Sequence, residues 1–139
     1  MPPRTIFLSR LIGLFSVVLG LAELMHKAAM VKIAADLVNA PALLFILGMV
    51  TLLAGLAMVL THNVWTGGAT PVIVTLAGWA LLIRGFVLVA ISPSRALGII
   101  EALHFADFYY LYVAVPLILG LYLTFVGFTT SYPRQQGTF

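Results

Sequence analysis

The stretch ILGMVTLLAG, residues 46–55, holds Gly48 and Gly55 seven residues apart in a run without a single charge. Seven residues make two turns of an α-helix, so both glycines fall on one stripe. The uncharged run extends from about residue 40 to 62, more than the ~20 apolar residues that cross a bilayer as a helix. Three other stretches repeat the pattern: LIGLFSVVLG (11–20), LAGWALLIRG (76–85) and ILGLYLTFVG (118–127). Glycine on a stripe lets neighbouring backbones approach, and close packing drives helix association in lipid.

Read outward from these cores, the chain predicts spans over roughly 5–26, 40–62, 70–92 and 106–130. With their connections they use all of residues 1–139, giving a single transmembrane domain. The expected fold class is an all-α integral membrane protein: a four-transmembrane-helix bundle with short interfacial helices. The matched flanks of the glycine pairs suggest a tandem repeat of two helical hairpins, the first and second spans against the third and fourth. Four spans close most compactly as a ring, which makes the first and fourth neighbours as well. Composition agrees, with 63% hydrophobic and 8% charged residues, against about 25% charged in soluble domains. A net charge of +3 is too dispersed to indicate nucleic acid and suits helix ends at anionic headgroups. With no cysteine, disulfides, thiolate metal sites and c-type haem attachment are excluded. The first span reads as a retained helix, because Glu23, Met25 and His26 stand where a signal peptide would carry small residues.

Local signals place the ends. Asn39 with Pro41, and Thr70 with Pro71, read as N-terminal caps of the second and third spans. Pro93 stops the third, Ser94 caps a short helix over 95–104, and Pro116 lies inside the fourth. Residues 28–39 set Met30, Ile33, Ala34, Leu37 and Val38 against Lys32, Asp36 and Asn39, the pattern of an amphipathic interfacial helix. Alternation of the spans puts Glu23, His26, Lys27, Lys32, Asp36, Arg95, Glu101, His104 and Asp107 on one face, side B. Arg4, Arg10, His62 and Arg134 are on the other, side A. Arginines flanking the first span favour side A, with both termini, as cytoplasmic.

Chemistry concentrates on side B. Glu23 and His26 are three apart, and so are Glu101 and His104. Residues at that spacing share a helix face, and a Glu-x-x-His pair on each of two helices is how di-metal carboxylate bundles present ligands. The candidate metal set is Glu23, His26, Glu101, His104 and Asp107, for a divalent metal. Haem held between His26 and His104 is a weaker alternative, and the bland reading is a polar headgroup interface. Arg84 lies well inside the third span. An arginine there faces the bundle, either paired with Asp107, Glu23 or Glu101, or contacting an anion or a quinone oxygen. His62 and Trp65 read as interfacial, and Tyr109, Tyr110 and Tyr112 as an aromatic belt. Trp79, deeper, needs a partner for its N–H.

The combination HNVW…VIVTLAGWALLIRG (62–85) resembles a pattern in small uncharacterised four-helix bacterial inner-membrane proteins. The resemblance covers about a quarter of the chain. It implies a bacterial inner-membrane location and this hairpin order, and brings no activity with it. The overall plan is loosely similar to the DoxX-like four-helix proteins, which are linked to quinone chemistry. That match is helix count and an arginine early in the first span, and it carries over no residue.

The functional expectation is a non-catalytic structural or accessory subunit, working by helix packing in a homo-oligomer or a larger membrane complex. The alternative is a metal- or quinone-binding redox protein built on the two Glu-x-x-His pairs. A third is a small oligomeric ion or solute transporter, weakened by the scarcity of polar residues within the spans.

Overall fold

The computed structural model describes residues 1–91, 95 and 107–130, the side chain of Val38 excepted. The described residues form α1 (Pro3–Met25), α2 (Lys27–Val38), α3 (Pro41–Thr61), α4 (Ala69–Ala90) and α5 (Tyr109–Thr129). All but α2 are long and apolar enough to cross a membrane, at 21–23 residues and mean hydropathy 2.0–2.7. The chain is thus a multi-pass membrane protein, and among the described residues its regular structure is all helical. The expected helix over 95–104 lies, apart from Arg95, outside the described residues.

The helix ends depart from the expected capping in two places. Asn39 does not cap α3. It closes α2, its side-chain amide donating to the Ala35 carbonyl at 2.9 Å, while Ala40 precedes Pro41 at the start of α3. Thr70 does not cap α4 either, because the cap lies two residues earlier, at Gly68, and the helix starts at Ala69. Gly67 and Gly68 have φ of +91° and +111°, a region closed to most side chains, so they turn the chain into α4. At the other face α1 breaks at His26, whose φ of −128° and ψ of 41° are not helical. Its N–H still donates to Ala22, and its carbonyl accepts from Met30 to begin α2.

The spans pack as two antiparallel pairs, α1 with α5 and α3 with α4. The first span meets the fourth, as expected of spans closed in a ring, but the second packs on the third in place of the expected hairpins of first with second and third with fourth. The connection between the first two spans is α2, a 12-residue helix, which separates them where a tight turn would have joined them. Seven residues, 62–68, link α3 to α4 and keep that pair together.

All eight stripe glycines are buried and face the partner helix within the chain. A Cβ at Gly13 would stand 2.6 Å from the Thr124 nitrogen, and one at Gly120 would stand 2.7 Å from the Ser16 Cβ. At Gly55 it would fall on the backbone of Leu82, and at Gly85 on that of Leu52. Along each seam the glycines alternate between helices, so close approach recurs at about every turn.

Packing between the pairs is uneven. Toward side A, Thr5, Ile6 and Ser9 of α1, Thr70, Pro71, Val74 and Thr75 of α4, and Leu123 of α5 are all buried. The Thr70 and Tyr122 hydroxyls there meet at 3.2 Å. Toward side B each pair has its own small core. Leu44 of α3 packs with Leu37, Leu88 and Ile91. Tyr109 of α5, 1% exposed, donates its hydroxyl to the Glu23 carbonyl at 2.8 Å. The pairs join on side A and part toward side B.

The loop on side A is strapped down. Thr75 Oγ1 accepts from the Val64 N–H (3.0 Å) and donates to the Val64 carbonyl (2.9 Å). His62, expected at the interface, is buried at 4% exposure. Its Nε2–H donates to the Pro71 carbonyl at 3.3 Å. The α3–α4 register makes this possible: α4 begins beyond the end of α3, and the loop folds back along its first two turns. Asn63 Oδ1 accepts from both Trp65 (2.7 Å) and Trp79 (3.5 Å), which supplies the partner that Trp79 needs.

Candidate functional site: the cleft between the helix pairs

Where the pairs part they leave a cleft of about 590 Å³, within the range of small-molecule and cofactor sites. Its α1 wall runs from Leu11 through Phe15, Ser16 and Leu19 to Glu23, and its α4 wall runs from Ala77 through Ala80 and Leu81 to Arg84. Met58 of α3 and Pro116 of α5 complete it. The cleft is apolar over most of its length. Its two charged residues, Glu23 and Arg84, are the last lining residues toward side B on their helices.

The α1 wall follows from a pattern. Thr5, Ser9, Ser16 and Glu23 are spaced four, seven and seven, a heptad-like stripe that stays on one face of the helix. Its first members are buried on side A. Ser9 satisfies its hydroxyl on the Thr5 carbonyl at 2.7 Å, as serine does inside apolar helices. The last members emerge in the cleft. The Glu-x-x-His spacing ties Glu23 to His26 and gives Ser16 no role. The small hydroxyls on the α1 stripe are the signal in the sequence that marks this wall.

The expected site residues are dispersed differently from a metal centre. Glu23 is half-buried in the cleft, but His26 is exposed at the α1–α2 break and Asp107 is exposed just before α5. Glu101 and His104 lie outside the described residues. Among the described residues no three His, Asp or Glu side chains come together as a metal site would need. Arg84 is exposed within this chain, and among the described residues it forms no ion pair with Glu23 or Asp107. The ion pair found among the described residues, Lys32 to Asp36 at 3.2 Å, lies on the outer face of α2.

The chain matches no protein family, no curated protein and no solved structure.

Two cationic contacts hold α5 at opposite ends, one from α1 and one from the first residue of α2. On side A, Arg10 Nε donates to the Gly127 carbonyl at 2.7 Å, with its guanidinium 5.0 Å from the Phe128 ring centre. A cation at the last carbonyls of a helix also offsets the negative end of its dipole. On side B the Lys27 ammonium stands 4.6 Å from the Tyr110 ring centre and 5.7 Å from that of Tyr109, within cation–π range. The expected tyrosine belt is therefore split. Tyr109 is buried in the joint, while Tyr110 and Tyr112 remain exposed.

Proposed function

We propose that this protein is a small, non-catalytic integral membrane protein of the bacterial inner membrane that holds a membrane-soluble amphiphile between its helix pairs. In this reading it serves as an accessory, ligand-carrying component of a larger membrane assembly, with both termini cytoplasmic. The observation that carries the reading is the cleft: an apolar channel between two rigid pairs that ends in Arg84 and Glu23. An apolar tail fits the Leu11–Leu81 length, and a polar head fits the charged end. Arginine in a span costs about 2.5–3.5 kcal/mol or more when unpaired, and a ligand head that accepts hydrogen bonds would offset part of that cost.

The glycine stripes support rigid pairs, but they give little support to self-assembly, because all eight are used inside the chain. Any larger partner would meet the outer faces, where Val18, Leu53, Leu60 and Phe125 stand 65–81% exposed. The cytoplasmic placement of side A rests on Arg4 and Arg10 beside the first span.

Ala80→Trp tests the reading by filling the cleft without touching either glycine seam. Protein purified in mild detergent should carry a co-extracted amphiphile, detected by mass spectrometry of the organic extract, and the Trp variant should lose it while unfolding at a similar temperature. Equal amphiphile in both proteins would overturn the cleft as the binding site.

A further inference from the structure

We infer that the cleft selects a phospholipid whose headgroup carries a primary ammonium, with its phosphate at Arg84 and its ammonium at Glu23. The inference rests on the cleft reading above and narrows it to one headgroup chemistry. Two opposite charges face the same cavity end, yet they do not pair with each other across it. A guanidinium offers forked donors that match two phosphate oxygens, and a carboxylate accepts from an ammonium that still has N–H groups to give.

Depth gives the order of the two charges. Glu23 is two residues from the end of α1, and Arg84 is six from the end of α4. At 1.5 Å per residue that sets them about 3 Å and about 9 Å inside their own helix ends. In a zwitterionic phospholipid the phosphate is bonded next to the glycerol and acyl chains, and the ammonium lies farther out. The deeper cation and the shallower anion therefore reproduce the headgroup's own sequence, read from the tails outward. The apolar wall from Leu19 and Leu81 down to Leu11 and Ala77 then takes acyl chain. A headgroup with phosphate and no cation would leave Glu23 facing a negative charge. A quaternary ammonium would have no N–H to donate to it.

The test is native mass spectrometry of the full chain released from nanodiscs holding equal parts of phosphatidylethanolamine, phosphatidylglycerol and phosphatidylcholine with identical acyl chains. The parent should retain the ethanolamine lipid over each of the others by about tenfold, the scale of one charge-assisted contact. Glu23→Gln should erase that preference, lowering retention of the ethanolamine lipid to the level of the other two. Arg84→Gln should lower retention of all three. Glu23→Asp, which keeps the charge, should restore the order and guards against a merely structural loss in the Gln variant. Equal retention of the three headgroups by the parent, with Ala80→Trp still abolishing it, would overturn the headgroup inference and leave the cleft reading standing. Retention that Ala80→Trp leaves unchanged would overturn both.

Discussion

A methyl group added at Gly55 or Gly85 lands on the backbone of the facing helix, whereas at Gly78 it meets the side chains of Met58 and Val59. Backbone cannot move aside without separating the helices, but at Gly78 the nearest atom is the Met58 Cβ at 3.1 Å, which needs to give by only a few tenths of an ångström. Gly55→Ala and Gly85→Ala should each cost about 1–3 kcal/mol, the range of overpacking, and Gly78→Ala clearly less. Denaturant or thermal unfolding in detergent reads the difference. A second residue-scale outcome has the opposite sign. The Thr124 hydroxyl is buried at the α1–α5 seam without a hydrogen-bond partner. Thr124→Val replaces it with a methyl of similar volume and removes a desolvated polar group, so it should be neutral or stabilising by up to about 1 kcal/mol. A loss of stability would mean that the hydroxyl has a partner in the membrane. The glycine seams are legible in the sequence, since a two-turn spacing repeated in every span marks a face where helices come close. The identity of each contact is not legible, because a stripe says that something approaches and not what.

Between elements, the fastenings at the helix ends decide which spans stay together. The Tyr109 hydroxyl on the Glu23 carbonyl ties α5 to the last turn of α1. Tyr109→Phe should lower stability by about 0.5–1.5 kcal/mol, the net worth of one such bond, and should loosen the α1–α2 joint at His26. Amide exchange at Met30, whose N–H bonds to His26, is the local readout. On side A, Thr75 makes both of its bonds to Val64. Thr75→Val removes both and keeps the shape, so exchange at Val64 should accelerate while the seams of α4 remain protected. Element boundaries are readable to within a few residues from hydropathy and proline. The caps are not, because Asn39 and Thr70 sit at the right positions for N-caps and bond elsewhere. Asn39 bonds backward to α2, and Thr70 is drawn to Tyr122 of another helix. Those preferences depend on neighbours that a local pattern does not contain.

At the scale of the whole molecule the two pairs behave as bodies joined on side A and separate toward side B. With no native cysteine, spin labels can be placed freely. Labels at Arg4 and Ala69 should give a narrow distance distribution, and labels at Met25 and Ala90 a broader one. Equal widths would mean that the pairs are locked along their whole length. The four-helix membrane architecture is legible from hydropathy alone. The pairing is legible in part: closing four spans as a ring brings the first against the fourth, as observed, but alternation leaves open that the second turns to the third. The cleft is half legible: Arg84 is conspicuous as a charge inside a span, but its relation to Glu23 depends on α1 and α4 lying side by side.

Arg10 and Gly127 are joined across 117 residues of chain, and that separation sets a schedule. At about 5–20 residues per second, a ribosome delivers Gly127 some ~6–23 s after Arg10. Throughout that interval α1 sits in the bilayer with its seam unfilled and its arginine without the helix end that it closes on, while α3 and α4 already have each other. Biogenesis therefore has an order, an inner pair formed first and an outer pair completed last, and a window in which a chaperone or a quality-control protease meets the nascent protein. A chain stopped after residue 91 should be inserted but short-lived in a pulse-chase, and supplying α5 as a separate segment should lengthen its half-life.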